Sequence, residues 1–292
     1  MKITIIKAGI VFIMLALILV PSNILAVEEK PPALGAGTTL APGEGTTVAT
    51  ADQDEEDRPE LSADVALLSQ YVWRGWGLSK DSLVIQPSVT ASYKGFSLNL
   101  WGNMDTSFQG TEDSEKKFKW NETDLTFSYG HSFGMVGLEA GFIYYALDGL
   151  DDWKEFYLSL GLDTILAPTV TVYREISKNQ GWYVNLGISH SFELPHEITL
   201  DLGGYVSYWK SDNDNMMERN SDLSATNERF SGLHDGLLSV GLNIPFWKYF
   251  AVTPSIAYAF PLSHAADNEM QYNSLDERAN HVFGGVTLSM VF

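Results

Sequence analysis

The chain has 292 residues, a formal net charge of -19 and no cysteine, which excludes a disulfide framework, a thiolate metal site and a lipid-anchored N-terminal cysteine. So acidic a chain also lacks the basic patches that nucleic-acid binding needs. Its 13 Tyr, 15 Phe and 8 Trp are many for a plain soluble domain and suit a membrane surface, yet nothing after Ala26 approaches the ~18 consecutive apolar residues of a helical span.

Residues 1–26 carry Lys2 and Lys7, an apolar stretch from Ala8 to Val20, and small or neutral residues up to Ala26. This is the pattern of a secretory signal peptide cleaved near Ala26. Residues 27–60 are rich in Pro, Gly, Thr and Ala and end in the acids Asp52, Asp54, Glu55, Glu56 and Asp57. Such a composition predicts a disordered periplasmic leader.

From Leu61 the helical signal is absent and period-two alternation takes over, in segments of about ten residues. Strands are expected at 62–73, 83–93, 96–105, 120–130, 134–147, 153–163, 169–176, 181–192, 197–209, 236–244, 251–261 and 281–292. Every second connection is tight, as at Lys94-Gly95 and Leu194-Pro195-His196, whereas 106–119, 210–235 and 262–280 are long and polar. Short turns on one side and long loops on the other are the rule for bacterial outer-membrane barrels. The expected fold is therefore all-β, a single antiparallel transmembrane barrel over 61–292 of about twelve strands, with about ten or about fourteen as alternatives.

The last strand sets the phase. Val282, Gly284, Val286, Leu288, Met290 and Phe292 share the face expected to meet lipid, opposite Phe283, Gly285, Thr287, Ser289 and Val291. Carried through the chain, this phase turns the acids Asp64, Asp105, Glu122, Asp124, Glu139, Glu155, Asp163 and Asp201 inward, together with the neutral Gln70, and leaves either Arg174 or Glu175 inward. Unpaired carboxylates in a narrow pore concentrate cations, which predicts a porin-like passive channel for small cationic or neutral solutes. If Arg74, Lys119 and Lys154 instead fold inward and pair the acids, the barrel is plugged. Aromatics sort to strand ends as two girdles, one at Phe246, Trp247, Tyr249 and Phe250, the other including Tyr71, Trp73, Trp120, Tyr144, Trp153, Tyr208 and Phe260.

The run Ser62-Ala63-Asp64-Val65-Ala66-Leu67-Leu68-Ser69-Gln70-Tyr71-Val72-Trp73-Arg74-Gly75, with Leu78-Ser79-Lys80, Ile85-Gln86-Pro87-Ser88 and Leu100-Trp101-Gly102-Asn103-Met104-Asp105, resembles the opening of the TorF-like porins. That family reads Tyr-x-Phe-Arg-Gly at the end of its first strand, where Trp73 replaces the Phe. The resemblance implies an outer-membrane barrel assigned as a porin by architecture, and it supplies no substrate. The long acidic leader is not a feature of that family.

Trp73, Arg74 and Gly75 fall at the expected outer rim, where Gly75 supplies a sharp turn. Arg74 either reaches into the mouth as a constriction or pairing residue, or snorkels to lipopolysaccharide phosphates. C-terminal Phe292, with Met290 and Leu288, looks like the signal read by the barrel-assembly machinery. The expected partners are thus that machinery, the outer-membrane bilayer and its lipopolysaccharide. Two other classes stay open: a structural or adhesive barrel using 210–235 as a binding loop, and a lipid hydrolase using Ser189 and His190. Adjacent strand residues point to opposite faces, so that pair cannot meet on one wall. Nothing calls for a cofactor, and the histidines and carboxylates show no metal-ligand spacing.

Overall fold

The computed structural model describes residues 58–109 and 116–292. The expected signal peptide with its cleavage near Ala26, and all but residues 58–60 of the leader, lie outside the described residues.

Twelve antiparallel strands close into one barrel. In chain order the wall consists of β1 (Glu60–Leu68), β4 (Val84–Tyr93), β5 (Phe96–Phe108), β6 (Lys116–Phe133), β7 (Val136–Leu147), β8 (Trp153–Leu162), β9 (Thr169–Glu175), β10 (Gly181–Glu193), β11 (Thr199–Ser211), β14 (Ser231–Phe246), β15 (Phe250–Pro261) and β16 (His281–Val291). Every neighbour in the sheet is a neighbour in this order, and β1 pairs with β16 from Ser62↔Val291 to Leu68↔Gly285. Phe292 extends the seam, donating its N–H to the Leu61 carbonyl at 2.9 Å. Closure removes the unpaired strand edges that a sheet in lipid cannot leave exposed.

Alternation fixes the two faces. Along β8, Glu155, Tyr157, Ser159 and Gly161 are buried while Lys154, Phe156, Leu158 and Leu160 are exposed. Along β16, Val282, Val286 and Leu288 are exposed while His281 and Phe283 are buried. The exposed residues form a belt of Leu, Ile, Val and Phe round the barrel, with Leu98, Phe127, Leu158, Ile188, Leu238 and Ile256 all more than 45% exposed. So much bare apolar surface marks a membrane-spanning barrel rather than a water-soluble one. At the end with the short turns, Phe96 packs on Tyr129, Phe246 on Trp247 and Phe250, and Tyr249 stacks on Phe292.

The other end departs from expectation in four places. The first strand does not run to Trp73: it leaves the wall after Leu68, and residues beyond it form a separate two-strand hairpin, β2 (Val72–Trp73) and β3 (Trp76–Gly77). The 262–280 connection, expected as a plain loop, carries a helix, α1 (His264–Asn273), capped by Ser263, whose Oγ accepts from the Ala266 N–H at 3.1 Å. The 210–235 connection is largely structured, with β12 (Met217–Arg219) pairing β13 (Ala225–Arg229). The 106–119 loop is also shorter than expected, since β5 runs to Phe108 and β6 starts at Lys116. Of the expected girdle at this end, Trp120, Tyr144, Tyr208 and Phe260 belong to the outer face, where Trp120 lies over Gly102. Tyr71, Trp73 and Trp153 belong instead to the packed interior.

Candidate functional site

The interior divides in two. In the half nearer the short turns, the inward residues are small and hydroxylic: Ser62, Ser88, Thr90, Ser97, Asn99, Thr126, Asn185, Ser239 and Thr287 are only half-buried. Asn99 donates to Ser88 and Thr90, both at 2.8 Å. Three of the expected acids face this half: Asp64, Asp201, which accepts from Ser191 Oγ at 2.6 Å, and Glu139, which accepts from Tyr157 OH at 2.5 Å. Asp163 does not line the lumen. β8 ends at Leu162, so Asp163 is exposed in the turn despite having the inward parity.

The half nearer the long loops is packed shut by the β2–β3 hairpin. The chain turns inward after Ser69, whose N–H still reaches the Gly284 carbonyl at 2.8 Å. Gln70, expected on the lumen face of the first strand, instead ties this departure down, donating to Asp276 at 2.8 Å and to the Ser79 carbonyl at 3.2 Å. Trp73 pairs Trp76 across the hairpin, and Arg74 and Gly75 at its tip have φ of +46° and +82°. Two successive positive φ angles make the tight turn that matches strand twist, the first at a cost for any residue with a side chain. A side chain at Gly75 would fall 2.5 Å from the Met270 Cε of α1 and 3.0 Å from the Asp235 Cβ, so conformation and space both require glycine.

Arg74 sits inside the barrel rather than on its rim, and is 2% exposed. Its guanidinium forks onto Glu155, with Nη1 to Oε1 at 2.9 Å and Nη2 to Oε2 at 2.8 Å. The ring centres of Tyr183, Trp73, Tyr173 and Trp209 stand 4.2, 4.5, 4.6 and 5.5 Å from the guanidinium carbon. Tyr145 OH also donates to Glu155, at 2.9 Å, so both carboxylate oxygens are engaged. Paired, planar donors and flat faces suit a guanidinium where a lysine ammonium would not fit. Of the two readings of Arg74, the geometry is that of a pairing residue and leaves no path to lipopolysaccharide.

Beside this pair the hairpin is bolted to wall and helix. Tyr71 OH donates to Glu122 at 2.8 Å, and Trp76 Nε1 donates to Glu269 of α1 at 2.9 Å. His234 bridges Glu269 and Asp235, both at 2.9 Å, and Asp235 further accepts from Tyr205 OH and Ser207 Oγ at 2.8 and 2.5 Å. The Gly77 N–H donates to Ser274 Oγ at 3.0 Å, and its carbonyl accepts from the Leu275 N–H at 2.8 Å. Trp73 meets Tyr145, Trp153 and Trp209 edge-on and Trp76 lies tilted on Trp209, all within one packed cluster.

Charge here is lopsided. Among the described residues Arg74 is the one buried Lys or Arg, against the buried acids Asp105, Glu122, Asp124, Glu155, Glu175, Asp235 and Glu269. Glu175 is thus the inward member of the 174–175 pair, while Arg174 lies over the Trp182 ring and pairs with Asp212. Oxygens of Asp105, Asp124 and Glu175 are buried with no hydrogen-bond partner. Lys119 pairs with Asp148 at 3.2 Å and Lys154 lies over Tyr144, so neither joins Arg74 in neutralising the interior.

Four of the acids read from the sequence, Asp105, Glu122, Asp124 and Glu155, therefore share the packed half. His234, Asp235 and Glu269 were not legible, because they lie in segments that read as loops. Their one local signal was Ser263 ahead of Ala265-Ala266, a helix start without an apolar stripe. Ser189 and His190 are not brought together: Ser189 faces inward, while His190 packs edge-on against Phe192, two residues along the same outer face.

A family of bacterial proteins of unknown function, Gcw_chp, matches residues 52–152. The matched stretch includes the inserted hairpin, Glu122, Asp124 and all the residues that carry the TorF-like resemblance. No curated protein sequence is significantly similar to the chain. Among solved structures it is similar to the NanC porin, at 8% identity and a TM-score of 0.49, over 79% of this chain and 98% of that one. It is also similar to a bacterial polysaccharide outer membrane secretin, at 7% identity and a TM-score of 0.39, over 81% and 99%.

Proposed function

We propose that the chain is an outer-membrane barrel of the channel type, related to the TorF-like porins, whose outward half is closed by its own β2–β3 hairpin. Short turns and the described ends of the chain lie on one side, which makes that side periplasmic. The half-buried Ser, Thr and Asn lining is then a wet vestibule open to the periplasm, and the long connections with α1 face outward. Export follows from the N-terminal segment, and Phe292 serves the barrel-assembly machinery. Small cationic or neutral solutes cross only when the hairpin yields, and the excess of inward carboxyls favours cations over anions.

The observation that carries this reading is the burial of Arg74, at the tip of the hairpin, on Glu155 of the barrel wall. A plug of the chain's own sequence, tied by polar bonds rather than by apolar packing alone, is a closure that can be undone. Planar-bilayer recording tests it. Wild-type protein is expected to show rare, small openings, and a variant with residues 72–77 replaced by a Gly-Ser linker to conduct steadily, with a cation-selective reversal potential in a salt gradient. Equal conductance in both would show that the hairpin closes nothing. Silence of a correctly folded linker variant would favour a non-conducting structural or adhesive barrel.

A further inference from the structure

The cage that holds Arg74 belongs to the wall, not to the plug. Glu155 comes from β8, Tyr173 from β9, Tyr183 from β10, Trp209 from β11 and Tyr145 from β7; of the groups round the guanidinium, only Trp73 travels with the hairpin. Tyr145 fixes one Glu155 oxygen by a 2.9 Å hydrogen bond, and Tyr183 is fixed in turn by donating to Asp235 at 3.1 Å. Both bonds lie between wall strands, so withdrawal of the tip breaks neither. The emptied cage would then present a carboxylate floor, three aromatic faces and, at Asp124, which pairs Tyr145 across the sheet, a buried oxygen with no hydrogen-bond partner. Nothing in that lining offers a positive charge to an anion or a mainly apolar surface to a lipid tail.

We propose that these wall residues form a binding site for a guanidinium-bearing organic cation, and that Arg74 occupies it as the chain's own stand-in while the channel is closed. This rests on the closed-channel reading for its physiological sense. A solute that reaches the cage from the vestibule would compete with Arg74 for Glu155, so the ligand that fits the site also loosens the plug. Guanidinium is preferred over a simple metal cation because the fork and the flat faces reward a planar, weakly hydrated group, whereas sodium or potassium gains little from them.

Arg74→Gly empties the cage while keeping the turn geometry at the tip, since glycine adopts positive φ freely. Tryptophan fluorescence of the folded variant in detergent is titrated with methylguanidinium, with sodium at equal ionic strength and with urea, the neutral planar counterpart. The expected result is saturation by methylguanidinium at a concentration at least about tenfold below any effect of the other two, lost in the Arg74→Gly/Glu155→Gln double variant. Absence of saturation, or saturation unchanged by Glu155→Gln, would overturn the site. Should Arg74→Gly not refold, hydrogen exchange of residues 72–77 in the wild-type barrel gives the same decision. Methylguanidinium is expected to speed it severalfold more than urea, and equal effects count against the proposal. Recording the 72–77 linker variant in bilayers separates the two readings: methylguanidinium binding to Arg74→Gly beside a silent linker variant keeps the site and removes the channel, whereas steady conductance of the linker variant without methylguanidinium binding to Arg74→Gly keeps the channel and removes the site.

Discussion

At the scale of single residues, the molecule turns on Arg74 and Glu155. A non-glycine residue at φ +46° carries a backbone cost of about 1–3 kcal/mol, which persists only where surrounding contacts over-determine it. Here a two-pronged ion pair and four ring faces do so. Glu155→Gln keeps the shape of the floor but leaves a guanidinium buried without its counter-charge, an arrangement that costs about 3–5 kcal/mol. The expected outcome is loss of exchange protection at residues 72–77 with the barrel strands unchanged, and unaltered protection there would show that the pair does not hold the hairpin. Gly75→Leu should unseat the same tip by collision with Met270, visible as a change in near-ultraviolet tryptophan circular dichroism at unchanged strand content. The turn at Arg74-Gly75 was legible in the sequence from the glycine. Its depth in the barrel was not, because the partner is 81 residues away in sequence.

At the scale of elements, the wall strands are legible because alternation is local, and the reading fails where alternation and membership of the wall part company. Val72-Trp73 continues the alternation of β1, so the sequence extends the first strand through a segment that has turned inward. The helix α1 was missed for the opposite reason. Its buried residues are Ala266, Asn268, Glu269 and Met270, and the polar Asn268 and Glu269 among them break the apolar period that marks an amphipathic helix. The Glu269 carboxyl is where the structure needs it, receiving Trp76 and His234. Ser263→Ala should weaken α1 by about 1 kcal/mol through loss of its N-cap, raising exchange across residues 264–273 and, through Glu269, at Trp76; an effect confined to the helix would show that it does not brace the hairpin. The loop after β11 offers a pH test. Asp212 is held below the usual aspartate value chiefly by its hydrogen bond from Arg174, with Lys210 assisting. A lowered carboxyl pKa stabilises the tie above the unfolded value of about 3.9, and the gain is lost as pH falls through the lower folded value. Exchange in residues 212–216 should therefore stay slow at mildly acid pH and rise only below that range, and a rise already near neutrality would dissociate the loop's order from Asp212.

At the scale of the whole molecule, closure depends on the β1–β16 seam, which Phe292 extends at the Leu61 carbonyl while it stacks on Tyr249. Deleting Phe292 should lower the amount of assembled barrel in cells severalfold while refolding in detergent proceeds, because the purified chain keeps the register from Ser62↔Val291 to Leu68↔Gly285. Equal loss in detergent would make Phe292 a part of barrel stability rather than a recognition signal.

Local pattern alone carries the phase and antiparallel order of the wall strands, a count of about twelve with about ten and about fourteen left open, the apolar belt and the inward direction of Glu122, Asp124 and Glu155. All of these follow from period two and short turns, which nearest neighbours in the chain dictate. The folded barrel alone shows that the half of the lumen nearer the long loops is filled, that Arg74 lies on Glu155 and that Glu175 faces in while Asp163 does not. A barrel's interior exists only once its first and last strands have met. The partners that draw the hairpin inward are then supplied by strands remote in sequence, through hydrogen bonds and ring contacts that no local pattern encodes.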